Sequence, residues 1–175
     1  MAASSRLVWT AEVADPAPTA RVLEVGCGHG VLVSLLAERL TAGTLTAVDR
    51  SATMVAAATR RNRAAVDAGR VRLFASGLVD ADLPDGAFDL VCSVNVRAFW
   101  TPPAPEWDVV RRVLAPGGRV LVACSLMSQD TEGAVTDAVR RLAGDRGFAL
   151  TAVRSGRTPP IDSLALELRA VHPDG

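Results

Sequence analysis

The chain has 175 residues, 49% of them hydrophobic, with 19 basic residues balancing 19 acidic ones. That length supports one domain with its own core, and zero net charge leaves no electrostatic footprint for nucleic acid or an anionic membrane surface. Every cationic residue other than the histidines is arginine, which excludes Schiff-base catalysis and a Walker-type phosphate loop, both of which need lysine. Cys27, Cys92 and Cys124 form no CxxC pair, and only His29 and His172 could join them, so no zinc site is predicted. Their odd count suits a reducing compartment. No signal-like segment opens the chain, and no apolar run reaches the ~20 residues of a bilayer span. A cytoplasmic protein is expected.

In chain order, residues 1–20 lack a clear period and end in a Pro-rich stretch. They are expected to form a short lead-in or flap, with a helix around Leu7 to Val13. Residues 21–175 then read as one domain. Arg21 to Val25 is a strand, and Val31 to Leu40 carries apolar residues at helical spacing. Thr44 to Val48 is a second strand, followed by one helix between an N-cap at Ser51 and a stop at Gly69. Val71 to Phe74 and Phe88 to Val94 are further strands. A helix over Glu106 to Leu114 is closed by Pro116-Gly117-Gly118, and Arg119 to Cys124 is the fifth strand. Thr131 to Asp145 is helical, and Ala149 to Arg154 and Ser163 to Val171 are the last strand candidates. Such alternation predicts an α/β, doubly wound and largely parallel sheet with helices on both faces.

The run RVLEVGCGHG places Gly26, Gly28 and Gly30 directly after the first strand. In a doubly wound sheet that turn lies where ligands bind, and glycines let the backbone approach one. The N-terminus of the following helix favours an anionic group there. Asp49 stands nineteen residues beyond Gly30, a distance typical of an acid that accepts from ribose hydroxyls. An acid preceding Ser51 at a helix start is the alternative reading. The spacing is G-x-G-x-G rather than the dinucleotide G-x-G-x-x-G, and Glu24 precedes the first glycine, which suits a cationic group better than a pyrophosphate. A nicotinamide-dependent oxidoreductase is therefore disfavoured, and the chain also lacks tyrosine and lysine for a Tyr-x-x-x-Lys pair.

LEVGCGHG, followed by VDRS, FDLV and LAPGGRVL, resembles the class I S-adenosylmethionine-dependent methyltransferases of the compact, small-molecule type, from about Arg21 through Val122. The resemblance implies a Rossmann-like, seven-stranded sheet with the last strand antiparallel and S-adenosylmethionine as cofactor. It implies that Glu24, Gly26, Cys27 and Gly28 line the methionine end, that Asp49 binds the ribose and that Arg50 lies beside the adenine. Met54 stands where the family packs a side chain on the adenine ring; an ordinary core methionine is the other reading. Relatives often read Gly-Asp-Ala after the third strand, where this chain has Ser76-Gly77-Leu78. The usual Asp is missing at Gly77, although the Leu78 N–H can still contact the ring. Losing one such hydrogen bond costs ~1 kcal/mol, roughly fivefold in affinity. Asp80 could compensate, but its position is not legible in the sequence.

Acceptor-facing candidates follow the fourth strand: Ser93, also placed among the cofactor contacts, then Asn95, Arg97, Phe99 and Trp100. Asn95 would polarise an acceptor and Arg97 would hold an anionic one; packing and surface roles are the alternatives. His29 is expected to be a minor cofactor contact at most, and His172 to be exposed. Trp9 would either cap the cleft or anchor the lead-in. The Arg60, Arg61 and Arg63 run reads as a solvated helix face. The resulting expectation is methyl transfer to a small-molecule acceptor by in-line displacement, driven by proximity. The competing reading is a non-catalytic, degenerate methyltransferase-like module. A monomer or a homodimer fits, because so short a lead-in leaves room for help from a second subunit.

Overall fold

The computed structural model describes residues 4–171; His172 lies outside them. Seven strands form one sheet in the order β3-β2-β1-β4-β5-β7-β6. They are β1 (Arg21–Val25), β2 (Thr44–Asp49), β3 (Val71–Ala75), β4 (Phe88–Val94), β5 (Leu114–Ser125), β6 (Phe148–Gly156) and β7 (Ser163–Ala170). The first five pair in parallel, and β7 is antiparallel to both β5 and β6. The helices are α1 (Ser5–Ala14), α2 (Val31–Ala37), α3 (Ala52–Arg61), α4 (Arg63–Asp67), α5 (Glu106–Val113) and α6 (Gln129–Gly144), with a 3-10 turn at Arg97–Phe99.

Strand alternation divides the core into two layers. Leu23, Val25, Val91, Val120 and Val122 face α5 and α6, where Trp107 and Phe99 are completely buried. Val22, Leu45, Leu90, Cys92 and Leu121 face the other way, against α1, α2 and Ala58 of α3. Both layers are nearly all apolar, which makes Glu24, at 3% exposure the one buried acid among the described residues, conspicuous. At the end of the central strands opposite the glycine loop, Arg21 grips Asp89 with two guanidinium bonds (2.8 and 3.1 Å), joining the start of β1 to that of β4.

Three expectations are corrected. The helix expected between Ser51 and Gly69 breaks at Asn62, whose buried amide donates to the carbonyls of Gly30 (3.0 Å) and Ala58 (2.9 Å). The α2 helix ends at Ala37 rather than Leu40, its last carbonyls taken by tight turns. Pro116-Gly117-Gly118 does not separate helix from strand: β5 already begins at Leu114, with an irregularity in its pairing to β4.

The lead-in is a packed helix. α1 lies against α2, β5 and β7, and Arg119 donates to the carbonyls of Ala14 and Asp15 at its C-terminus. Trp9 packs its ring on Gly156, where an added β-carbon would come within 2.3 Å of it. The anchoring role therefore accounts for Trp9, and only a glycine in β6 leaves room for it.

Candidate active site

The strand order reverses between β1 and β4, and the crevice beyond their carboxyl ends holds two adjoining cavities that share Gly26, Val94 and Asn95. The larger, about 570 Å3, runs past Asp49 and Arg50 to the Ser76–Asp80 segment and is closed by Arg97, Ala98 and Glu106. The smaller, about 170 Å3, lies under the glycine loop and is lined by Arg6, Glu24, Cys27, Gly28, His29 and Leu32 among others. The larger volume is within the range of small-molecule sites.

The loop between β1 and α2 is held from several sides. The N–H groups of Gly26 and Cys27 both donate to the Val48 carbonyl (2.8 and 3.2 Å). Gly28 has φ +51° and nothing within 4 Å of where a β-carbon would stand, so bare backbone faces the cleft. Gly30, at φ +74°, serves packing instead: a β-carbon there would lie 2.7 Å from both the Ala58 β-carbon and the Asn62 amide. The two glycines therefore differ: Gly28 leaves its backbone bare at the cleft, and Gly30 permits the close approach of α3.

Asp49 is the latch of this loop. Its Oδ2 accepts from the Gly28 N–H and its Oδ1 from the Ser51 N–H, each at 2.9 Å. Each carboxylate oxygen has a second acceptor direction, and the side chain lines the larger cavity, so two hydroxyls can still be accepted. The latch role and the ribose role are compatible in one residue. Ser51 also caps α3, accepting from the Met54 N–H at 3.3 Å.

Glu24 is different in kind. Its Oε2 is shielded and has no hydrogen-bond partner among the described residues. Burial, and secondarily the charge of Asp49, push its carboxyl up from 4.5 to about 8. Burial likewise raises the Cys27 thiol to about 12 and the Cys124 thiol to about 11, and it raises Cys92 well above the ordinary thiol range. All three cysteines are therefore neutral thiols near pH 7 and poor nucleophiles.

The end of β4 is tied rather than free. Asn95, at φ +59°, accepts from the Ser125 N–H (2.8 Å) and donates to Ser125 Oγ (3.3 Å), which also receives Arg6 Nη1 (2.9 Å). Asn95 thus clamps β4 to β5 while bordering both cavities. Arg97 is exposed on the larger cavity, with no hydrogen-bond or ion-pair partner among the described residues. Phe99 is a core residue, edge-on to Trp107 at 5.1 Å, and Trp100 packs on the same core.

Glu24, Gly26, Cys27, Gly28, Asp49, Arg50, Gly77, Leu78, Asn95 and Arg97 all border the cleft. Ser93 and Met54 do not line either cavity. Ser93 shares the parity of Val91, so its side chain enters the α5–α6 layer at 1% exposure. Met54 is half-buried on the first turn of α3. His29 is exposed at the rim of the smaller cavity and its carbonyl accepts from Arg61 (3.0 Å). Two residues were not anticipated: Arg6, whose Nε is buried without a partner among the described residues, and Glu106, whose Oε2 is in the same state at the larger cavity.

Residues 22–118 match the family model described as a methyltransferase domain. The chain is 31% identical over 160 residues to the fatty-acid O-methyltransferase of Mycolicibacterium smegmatis, covering 87% of this chain and 55% of that protein. It is 33% identical over 121 residues to the malonyl-[acyl-carrier protein] O-methyltransferase of Geobacter sulfurreducens, covering 67% of this chain and 42% of that one. The chain spans about half the length of the curated relatives it matches. In fold it is similar to the geranyl diphosphate C-methyltransferase of Streptomyces coelicolor, solved with S-adenosyl-L-homocysteine. The TM-score there is 0.73 at 13% identity, over 93% of this chain and 80% of that one. No helix among the described residues is long and apolar enough to cross a membrane. With more than half of the chain matched by the domain model, on a seven-stranded sheet of the expected order with β7 antiparallel, this chain belongs to the class I S-adenosylmethionine-dependent methyltransferase family.

Proposed function

We propose that the chain transfers a methyl group from S-adenosylmethionine to a small acidic acceptor. The observation that carries this reading is the orphaned Glu24 carboxyl oxygen under the glycine loop, in a cavity that also holds Arg6. A buried acceptor without a donor is costly, and an amino-acid zwitterion relieves it: Glu24 accepts from the ammonium group while Arg6 faces the carboxylate. Asp49 accepts from the ribose hydroxyls. When bound, S-adenosylmethionine supplies a sulfonium-activated methyl group. The protein's part is to orient the reactants and exclude water, so neither a triad nor a cysteine nucleophile is required.

Two features support an acidic acceptor. The relatives named for fatty-acid and malonyl O-methylation act on groups that carry a carboxyl, and Arg97 presents an unpaired guanidinium to the larger cavity. A carboxylate needs no general base, because its nucleophilic oxygen is already deprotonated at neutral pH. Incubation with S-adenosylmethionine and a panel of small carboxylic acids, analysed by mass spectrometry, is expected to yield methyl esters. Arg97→Ala should raise the acceptor KM by about tenfold through the lost charge-assisted bond, with little change in S-adenosylhomocysteine affinity. Methylation of neutral acceptors alone, or an unchanged KM in Arg97→Ala, would contradict the acidic acceptor. Cofactor binding without transfer to any acceptor would instead favour a non-catalytic module.

A further inference from the structure

We infer that the acceptor carries a hydrogen-bond donor, an ammonium or a hydroxyl group, as well as its carboxylate, and that Glu106 selects for it. The inference deepens the acidic-acceptor reading and rests on it. Glu106 opens α5, half-buried in the wall of the larger cavity, and its Oε2 is shielded without a hydrogen-bond partner among the described residues. A buried acceptor left unpaired is costly. A carboxylate accepts hydrogen bonds and donates none, so whatever relieves Glu106 has to be a donor.

The cavity's own cations do not supply that donor: Arg97 and Arg50 both line it, and neither pairs with Glu106. The frame that carries Arg97 and Glu106 keeps them apart. The Trp107 indole N–H donates to the Phe99 carbonyl at 3.0 Å, and the two rings meet edge-on at 5.1 Å, both completely buried. The 3-10 turn that begins at Arg97 and the helix that begins at Glu106 are therefore one packed unit. Val96, just before Arg97, seats this unit on the glycine loop: a β-carbon on Gly26 would stand 2.5 Å from Val96 Cγ2. That loop is the one assigned above to the methionine end of the cofactor, so a cation and an anion border the space an acceptor enters, unpaired with each other. A plain carboxylic acid satisfies Arg97 but leaves Glu106 orphaned beside an apolar chain. An acid with a donor group satisfies both, and a site built to pair a donor rejects the analogue that lacks it.

The test is methyl-ester formation from S-adenosylmethionine by the full chain, with straight-chain carboxylic acids of graded length and their terminal-hydroxy and terminal-amino counterparts as acceptors. At the best length a donor-bearing acid should exceed the plain acid in kcat/KM by about tenfold or more, with the difference in KM. Whether the amino or the hydroxy acids are preferred identifies the donor. Glu106→Leu should bring that ratio to about one. Glu106→Gln keeps an acceptor oxygen without the charge, so it should retain part of the ratio for a hydroxyl and lose it for an ammonium. S-adenosylhomocysteine affinity, read by calorimetry, should stay within about twofold in both variants. A wild type without the preference, or variants that keep the wild-type ratio, would overturn the inference. Loss of S-adenosylhomocysteine affinity in both variants would also overturn it, by assigning Glu106 to the cofactor. Methylation of neutral acceptors and of no carboxylic acid would overturn the acidic-acceptor reading and the inference with it, an outcome distinct from the others.

Discussion

Asp49→Ala is expected to weaken S-adenosylhomocysteine binding by about a hundredfold or more, the largest effect of any substitution in the larger cavity. Two losses combine. The ribose hydroxyls lose a charged acceptor, and bonds of that kind are each stronger than neutral ones. The Gly28 and Ser51 N–H groups also lose the carboxylate that fastens the glycine loop to the end of β2. The second loss makes itself felt without ligand, so the melting temperature of the apo-protein should fall as well. Asp49→Asn separates the two effects. It keeps one carbonyl acceptor and the side-chain volume, so it should retain part of the stability while still binding weakly. An Asp49→Ala protein that binds normally would show that the ribose is held elsewhere.

Glu24→Gln carries the second large expectation, on the order of a hundredfold in S-adenosylhomocysteine affinity, because it removes one partner of a buried charge pair. The pH dependence identifies the cause. The Glu24 carboxyl is raised by burial, and secondarily by Asp49, from 4.5 to about 8, so in the ligand-free protein it is largely protonated at neutral pH. The unfolded chain ionises at the lower value. The stability contribution of this group is therefore complete below 4.5, declines as pH rises, and is lost once pH passes about 8. Glu24→Gln should flatten that decline and become the more stable protein toward the alkaline end, even as it binds worse. An ammonium group beside Glu24 favours the ionised form, so binding near neutral pH should release a proton. Calorimetric enthalpies of the wild type should accordingly vary with the ionisation enthalpy of the buffer, and those of Glu24→Gln should not. Buffer-independent wild-type enthalpies would contradict a cationic partner at Glu24.

The sheet was legible because each buried strand is a short apolar run bounded by turn residues, and the glycine loop because its spacing has a chemical purpose. What was not legible depends on contacts between residues far apart in sequence. The break at Asn62 lies within a helical pattern, and its cause is a bond to Gly30, thirty-two residues away. Arg6 sits in a segment without a period and reaches Ser125, 119 residues distant. Glu106 reads as an ordinary first-turn acid of α5, yet the turn before that helix brings it to the cavity wall. Ser93 was misplaced by strand parity: a strand leading to a site does not aim every residue at it, and alternate side chains enter the opposite layer. Asp80 could not be placed from sequence, because its position depends on the turn that brings its Oδ2 to 3.4 Å from where a β-carbon on Gly77 would stand.

The most direct measurement is parallel calorimetric titration of the purified protein with S-adenosylmethionine, S-adenosylhomocysteine and NAD. Micromolar binding of both sulfur ligands and none of NAD is the predicted result. Binding of NAD, or of neither sulfur ligand, would contradict the assignment of the glycine loop, Glu24 and Asp49 to a methyl-donor site.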